Sequence, residues 1–534
     1  MTPYCCRTPG CTDVFVRNID FVYKTNQNRG SRYSGIIFFL TLCVLSLISV
    51  NAFAQHTYYI SKTVGSDSNT STQAQSKSTP WAHLPGMRSC ASSCASHTPV
   101  AGDRFILKGG DTWVASDLPV NFFWGGSSGS PIYIGVDKTW FTGSSWTRPI
   151  FDCQSTQCGA PGQFNVGEND NYVTVDNIEF KGIKFVTGTN KGVQTQGAYT
   201  IVENCYFHGW SHAAGFNNSN DDGRGFALAV NASGGGSAGV GVVFHDNVID
   251  GQDTSQDMMG GSDDAETVYN NVFRYVYNGV RGGHTDVHNN LIEYIVTEGW
   301  PNADHANGIS IFSPWSGTNM WVYNNIVRHF ALAPGAESLW LNSNGTCVGC
   351  VVYAYNNLLY DAGRGIDFGD HPPATGGTLY AYNNTLEADG DHCMGNGESP
   401  PRSTINYANN HCIDVSTQCD TTGSTCVNSG DNLSQTTAQA TASGYTAGET
   451  YAYSPIAGNS PTVGAGQNLH SSCAGDLAAL CNDTTYPGYD AVNHVVTFRT
   501  VNSRPSSGAW DEGAYQFQAD DPPAPPTNLT ASPQ

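Results

Sequence analysis

The sequence predicts an elongated all-β solenoid, in which short strands stack coil upon coil. Three observations lead there. A strand-like run ending in asparagine recurs nine times along the chain. The repeated runs alternate as strands do, and few segments show the 3.6-residue apolar spacing of an amphipathic helix. Finally, 534 residues exceed one ordinary compact core, so either several domains or a repetitive fold is required. Composition agrees: glycine reaches 60 residues, aromatics 11% and charged residues only 13%. A hydrophobic fraction of 39% is too high for a disordered chain.

The 23 basic residues stand against 45 acidic ones, a net charge of −22. This excludes nucleic acid as the default partner, because phosphate binding needs a basic footprint. Residues 1–54 read as a secretory signal peptide, cleaved after Ala54: Arg29 and Arg32 precede an apolar run at 36–50, and Ala52-Phe53-Ala54 offers a small-residue cleavage site. That run is short for the ~30 Å hydrocarbon core, so no stable membrane insertion is expected after cleavage. The mature chain then has a net charge of −25 and 13 cysteines. Twelve fall into close pairs, Cys90/Cys94, Cys153/Cys158, Cys347/Cys350, Cys393/Cys412, Cys419/Cys426 and Cys473/Cys481. In an exported chain these are expected to be disulfides that staple loops. Zinc competes at Cys347 and Cys350, but no second Cys/His pair sits at ligand spacing. Cys205 is left over and reads as a small buried hydrophobe.

Residues 55–170 are expected to form an N-terminal cap and first coils, and 171–415 the repeat body. The runs extend from VTVDNIEF (173–180) through VVFHDNVI (242–249) and VYAYNNLL (352–359) to INYANNHC (405–412). The aligned asparagines are Asn177, Asn204, Asn247, Asn271, Asn290, Asn325, Asn357, Asn384 and Asn410, spaced by 27, 43, 24, 19, 35, 32, 27 and 26 residues. Such an irregular period suits coils carrying loops of different length. Sandwich strands do not repeat one motif in phase, and a propeller blade needs four strands in ~40–45 residues. Stacking sets like positions ~4.8 Å apart, so each corner asparagine can bond to those above and below, and nine coils make a rod of order 40 Å. Three positions before the asparagine the residues are mostly apolar (Ile201, Phe244, Val268, Val287, Val322, Ala354, Ala381). The opposite face carries Tyr269, His288, Tyr323, Tyr355 and Tyr382 in one column and Trp321, Tyr353 and Tyr380 in the next. Stacked rings of this kind stabilise a solenoid by about 0.5–1.5 kcal/mol a pair. They could also hold sugars, a role for which Trp315 is better placed.

On these residues the chain resembles the pectate-lyase-like superfamily of secreted proteins. The segments YYISKTVGSDSN (58–69), PWAHL (80–84) and GDRFILKGGDTW (102–113) are similar to the N-terminal cap and first coil of that group, and SRPSSGAWDEGAYQF (503–517) resembles a closing motif. The resemblance implies a right-handed parallel β-helix with an asparagine ladder and capped ends. It leaves the activity open, because the group includes lyases, glycoside hydrolases, esterases, epimerases and non-catalytic surface proteins. Residues 416–518 are expected to supply C-terminal coils and a cap, with irregular coil at 416–450, since an open solenoid end invites aggregation. Residues 519–534 read as a Pro-rich disordered tail.

The candidate chemistry comes from aligning the second strand of each coil: RGFALAV (224–230), NGVRGG (278–283), NGISIF (307–312), ESLWLN (337–342) and RGIDFG (364–369). In this alignment Phe226, Val280, Ile309, Leu339 and Ile366 point inward, while Ala227, Arg281, Ser310, Trp340 and Asp367 point outward. Arg224, Asn278, Asn307, Glu337 and Arg364 form the preceding column. Loops add Asp221-Asp222, His284, Asp304-His305 and Asp370-His371. Such a face suits a polysaccharide. For glycoside hydrolysis, Asp367, Asp304 and Glu337 are candidate acid and base, with His305 beside them. For β-elimination, Arg281 or Arg364 would abstract the proton, and Asp221 and Asp222 would hold calcium, the one cofactor expected. Trp315, Trp340, Arg224, His284 and Asn307 are candidate substrate contacts. The alternative is a non-catalytic extracellular β-helix that binds glycans, adheres or self-assembles. If Asp304 is catalytic, Asp304→Ala abolishes cleavage in a product assay while leaving the unfolding transition in place.

Overall fold

Alternating buried and exposed positions make short strands, and each strand pairs in parallel with its counterpart one coil later. The computed structural model describes residues 55–518 except 160, 186–190, 213–224, 231–238, 253–258, 284, 296–306, 312–318, 331–336, 342–348, 363, 370–376, 396–402 and 449. The chain divides into two units, 1–53 and 54–534. The first of these, within the expected signal peptide, lies outside the described residues, as does the expected tail. Among the described residues, the coils stack into three parallel sheets of 13, 13 and 11 strands, the right-handed parallel β-helix expected. In chain order each coil crosses a first sheet, turns at an asparagine corner into a second, and returns through a third. Inward Val, Ile, Leu and Phe side chains from all three fill one continuous core.

The corner is an asparagine ladder. In the column Asn247, Asn271, Asn290, Asn325, Asn357, Asn384, Asn410 and Asn432, each Oδ1 accepts the backbone N–H and the side-chain N–H of the rung before it, at 2.9–3.2 Å. From Asn247 to Asn410, each Nδ2 also donates to a carbonyl of the preceding coil at 2.8–3.0 Å. The short 19-residue coil is in register, with the Asn271 N–H 3.0 Å from Asn290 Oδ1.

Two of the nine aligned asparagines need correction. Ile201 pairs with Thr174 and Val243, which places Asn177 and Asn204 level with Asp246, one position before the ladder. Cys205 holds the ladder position in its coil. Its N–H donates to Asn247 Oδ1 at 2.9 Å, and its Sγ lies 3.8 Å from the Val175 carbonyl, where a ladder asparagine would donate. The same shift makes Val202, fully buried, the core residue rather than Ile201. Cys205 is free and buried, as expected.

The column before the ladder turns the chain. Asn177, Asn204, Asp246, Asn270, Asn289, Asn324, Asn356, Asn383 and Asn409 all have φ between 53° and 58°, a left-handed conformation that asparagine and aspartate tolerate. This explains the Asn-Asn doublets: one amide turns the corner outside and the next bonds within. The outer amides also anchor the C-terminal segment. Thr485 Oγ1 donates to Asn289 Oδ1 at 3.0 Å, Asn356 Nδ2 to Asn482 O at 2.9 Å and Asn409 Nδ2 to Gln467 O at 2.8 Å.

The expected irregular coil at 416–450 is instead ordered. Strands Thr417–Cys419, Ser424–Asn428 and Leu433–Gln435 complete a further coil with Asn432 as its rung, and helix Thr437–Ala442 starts from a Thr436/Gln439 capping box. Five expected disulfides are formed: Cys90–Cys94, Cys153–Cys158, Cys393–Cys412, Cys419–Cys426 and Cys473–Cys481. Cys350 is disulfide-bonded, and its expected partner Cys347 lies outside the described residues.

Removing one mid-ladder amide orphans the Asn290 N–H and the Val287 carbonyl inside the core. Asn325→Ala is therefore expected to cost about 3 kcal/mol, read as a lower denaturant midpoint with an unchanged slope.

Candidate functional site

The third sheet runs through strands Gly225–Val230, Met259–Asp263, Val280–Gly282, Ile309–Ile311, Glu337–Leu341, Arg364–Phe368 and His392–Gly395. Its inward column is Leu228, Ser262, Val280, Ile309, Leu339, Ile366 and Met394. This corrects the aligned set at one end. The coil carrying Met259–Asp263 has no apolar alternation and is invisible as a strand, so Phe226 was set two residues early, and Ala229, not Ala227, belongs to the outward column. That column reads Ala229, Asp263, Arg281, Ser310, Trp340, Asp367 and Gly395.

The strands begin with small residues because the second sheet crowds them. A Cβ on Gly308 would meet Val327 Cγ1 at 2.5 Å and the Ser338 carbonyl at 2.7 Å, and one on Gly279 would meet Ile292 at 2.9 Å. The asparagines just ahead form a minor ladder, with the Asn307 N–H 3.0 Å from Asn278 Oδ1. Asn307 is fully buried. It therefore serves the corner and is withdrawn from the candidate substrate contacts.

The stack brings four charged groups together at Asp367. Asp367 Oδ1 lies 2.8 Å from His392 Nε2, and Asp391 Oδ1 lies 2.9 Å from His392 Nδ1. Arg364 approaches both carboxylates, with NH1 3.7 Å from Asp367 Oδ2 and Nε 3.4 Å from Asp391 Oδ2. Asp367 is 3% and His392 5% exposed, and among the described residues Asp367 Oδ2, itself buried, has no hydrogen-bond partner. Burial alone would lower the His392 pKa, but the hydrogen bond it donates to Asp367 and the charges of Asp367, Asp391 and Asp420 outweigh it and raise it. Asp367 is thus a buried carboxylate with one oxygen bonded to His392 and the other buried beside Arg364. Farther along the column, Arg281 NH1 lies 3.9 Å from Asp263 Oδ1, and its guanidinium sits over the Phe226 ring at 5.8 Å.

The other candidates are distributed as follows. In the backbone register Glu337 pairs with Arg364 and Trp340 with Asp367. Asp221, Asp222, Arg224, His284, Asp304, His305 and Trp315 lie outside the described residues, as do Asp370 and His371. The expected calcium ligands are therefore not among the described residues. The group of three metal-type side chains that converges among those residues is His470, Cys473 and Cys481, whose sulfurs form a disulfide and do not fit calcium, which takes oxygen ligands. His392 and Asp391 were missed from sequence. The signal was present in DGDHC (389–393), because the disulfide cysteine Cys393 marks the next coil.

No family model matches the sequence, and no curated protein does. Among solved structures, the chain is similar to pectate lyase Pel9A (16% identity, TM-score 0.43, covering 87% of this chain and 96% of that one). It is also similar to a GH136 lacto-N-biosidase from Eubacterium ramulus (12% identity, TM-score 0.42, covering 71% and 68%). A third is a PL6 family polysaccharide lyase from Pseudopedobacter saltans (15% identity, TM-score 0.38, covering 65% and 82%).

A raised histidine pKa sets the sign of a pH effect. The charged pair stabilises the fold fully below the unfolded histidine value of about 6.5, and that stabilisation is lost as pH rises through the higher folded value. Asp367→Asn should therefore destabilise most near pH 5 and progressively less at alkaline pH, in unfolding curves measured across that range.

Proposed function

We propose that this protein is a secreted enzyme that cleaves a polysaccharide by glycoside hydrolysis on the outer face of the third sheet. The observation that carries the reading is Asp367: a buried carboxylate on a lateral sheet face, with one oxygen bonded to His392 and the other without a hydrogen-bond partner among the described residues. In this role Asp367 acts as the base that activates water. His392, with both nitrogens engaged by carboxylates, is a positioning residue that keeps Asp367 aimed. Glu337, one coil away beside Arg364, is the proton donor to the leaving oxygen, with Asp304 the other carboxylate proposed for that task. Trp340, next to Asp367 in the column, supplies an aromatic surface for the sugar. The disulfides and the signal-like leader support an extracellular setting.

Hydrolysis is favoured over β-elimination because the guanidinium groups of Arg364 and Arg281 both rest against carboxylates and are engaged there rather than presented to a substrate. A chain of net charge −22 also repels a polyuronate unless a cation bridges the two. Calcium held by Asp221 and Asp222 is the corresponding proposal for the lyase route.

A panel of neutral and acidic polysaccharides, incubated with and without EDTA, tests the reading. New reducing ends without unsaturated-uronate absorbance, insensitive to EDTA, are expected, and Asp367→Asn should lower the rate by about 10²–10⁴-fold. EDTA-sensitive absorbance would establish the lyase, and no product from any glycan would establish the binding role.

A further inference from the structure

The outward face of the first sheet carries two neighbouring columns with different fates. In one, rings stack coil on coil: His245 on Tyr269 at 4.7 Å, Tyr269 on His288 at 5.0 Å, His288 on Tyr323 at 4.6 Å and Tyr323 on Tyr355 at 4.7 Å. Its far end is roofed by the C-terminal segment, so that Tyr355 is fully buried against Leu480 and Trp510. The other column reads Thr267, Asp286, Trp321, Tyr353 and Tyr380 in strand register. Its Trp321, Tyr353 and Tyr380 are half-buried.

Beside the roof the two columns leave a groove of about 510 Å³, with Asp286, Trp321 and Tyr323 on the sheet side and Asp476 of the short helix Gly475–Cys481 on the other. That volume is typical of a small-ligand site. Its polar groups are unfinished. Asp286 Oδ1, Trp321 Nε1 and His288 Nδ1 have no hydrogen-bond partner among the described residues. Among the described residues, the ion-pair partner at Asp286 is His288, 3.8 Å away, and burial lowers the His288 pKa to about 4, leaving the ring neutral. Asp286 is therefore a carboxyl group without a charged counterpart among the described residues, and burial followed by the nearby charge of Asp476 raises its pKa to about 7.

We infer that this groove is a second, non-catalytic binding site for a neutral sugar ring, on a different sheet from Asp367. Sugar hydroxyls donate to the Asp286 and Asp476 oxygens, Trp321 Nε1 donates to a hydroxyl or ring oxygen, and the apolar face of the ring lies along Trp321. The occupant is neutral because two carboxyl groups with no basic residue in the lining repel a uronate. It is a chain rather than a single sugar because the coil spacing of about 4.8 Å continues the surface from Trp321 to Tyr353 and Tyr380, whose rings stack at 5.1 Å. Such a site would keep an insoluble or long polymer on the protein independently of cleavage.

The test is native affinity electrophoresis through gels containing neutral polysaccharides (xylan, mannan, galactan and β-glucan), with polygalacturonate as the charged control. The wild-type protein should be retarded by at least one neutral polymer and not by polygalacturonate. Trp321→Ala and the nearly isosteric Asp286→Asn should each weaken that retardation about tenfold, and Asp367→Asn should leave it unchanged. If Trp321→Ala does not give a cooperative unfolding transition, Asp286→Asn alone decides. The inference is overturned if no neutral polymer retards the wild type, or if Asp286→Asn migrates as the wild type does. It is also overturned if Asp367→Asn abolishes the retardation, or if calorimetry with calcium alone shows binding that Asp286→Asn removes. Because binding is read without turnover, a failure of the proposed hydrolysis leaves this result interpretable.

Discussion

The interaction on which the rest depends is the amide-to-backbone bond of the asparagine ladder. A corner turned inside a protein core leaves a backbone N–H and a carbonyl with no sheet partner, and each buried unpaired group costs about 1–3 kcal/mol. One asparagine per coil meets both needs and bonds to its own kind above and below, so the coil spacing becomes the strand spacing. A slip of one residue would bury the turn residue and expose the amide. Register is therefore set at the corner and carried outward along every strand. Asp367 and His392 meet although 25 residues separate them in sequence, because their strands are fixed by the same corner. Where asparagine is missing, at Cys205, the thiol occupies the equivalent place with a weaker donor.

Much of this was legible because the ladder repeats a residue type at a fixed strand position. The doublets from Asn270-Asn271 to Asn409-Asn410 carry both the left-handed turn and the rung. In the coils of Asn177 and Asn204 only the turn asparagine remains, and a motif search aligns it with the wrong column. The third sheet was harder to read. The strand Met259–Asp263 is MGGSD, without apolar alternation, because its glycines yield to Phe226 and Phe273 from neighbouring strands. Dropping that coil shifts Phe226 by two residues while leaving Arg281, Ser310, Trp340 and Asp367 correctly aligned. The partner of Asp367 escaped because its strand, His392–Gly395, is short and carries a disulfide. Asn432 escaped because its coil is rich in Ser and Thr rather than in apolar residues.

The charge distribution follows the same geometry. Cations are few, and several are set between carboxylates on adjacent coils. On the second sheet Glu293 accepts from Arg328 at 2.6 Å and lies 3.1 Å from Arg274 Nε, while on the third sheet Arg364 lies between Asp367 and Asp391. Stacking one charge directly above another of the same sign costs energy at every coil, so alternation of sign along a column is the stable arrangement. Asp286 departs from it. Its neighbours in the column are Thr267 and Trp321, and the nearest charge across the groove has its own sign. Asp367 keeps one buried oxygen without a hydrogen-bond partner among the described residues, despite its arginine and histidine. These two carboxyl groups are where local stability yields to something else, and they lie on different sheets.

A double-mutant cycle between Asp367→Asn and His392→Gln, measured by denaturant unfolding near pH 5.5, tests the stacked register and the coupled site together. A shared buried pair predicts a coupling of about 1–3 kcal/mol, so the double variant is far less destabilised than the two single effects added together. Effects that add to within about 0.5 kcal/mol would mean that the two residues are not partners across adjacent coils, and the account of the third-sheet face would fail with them.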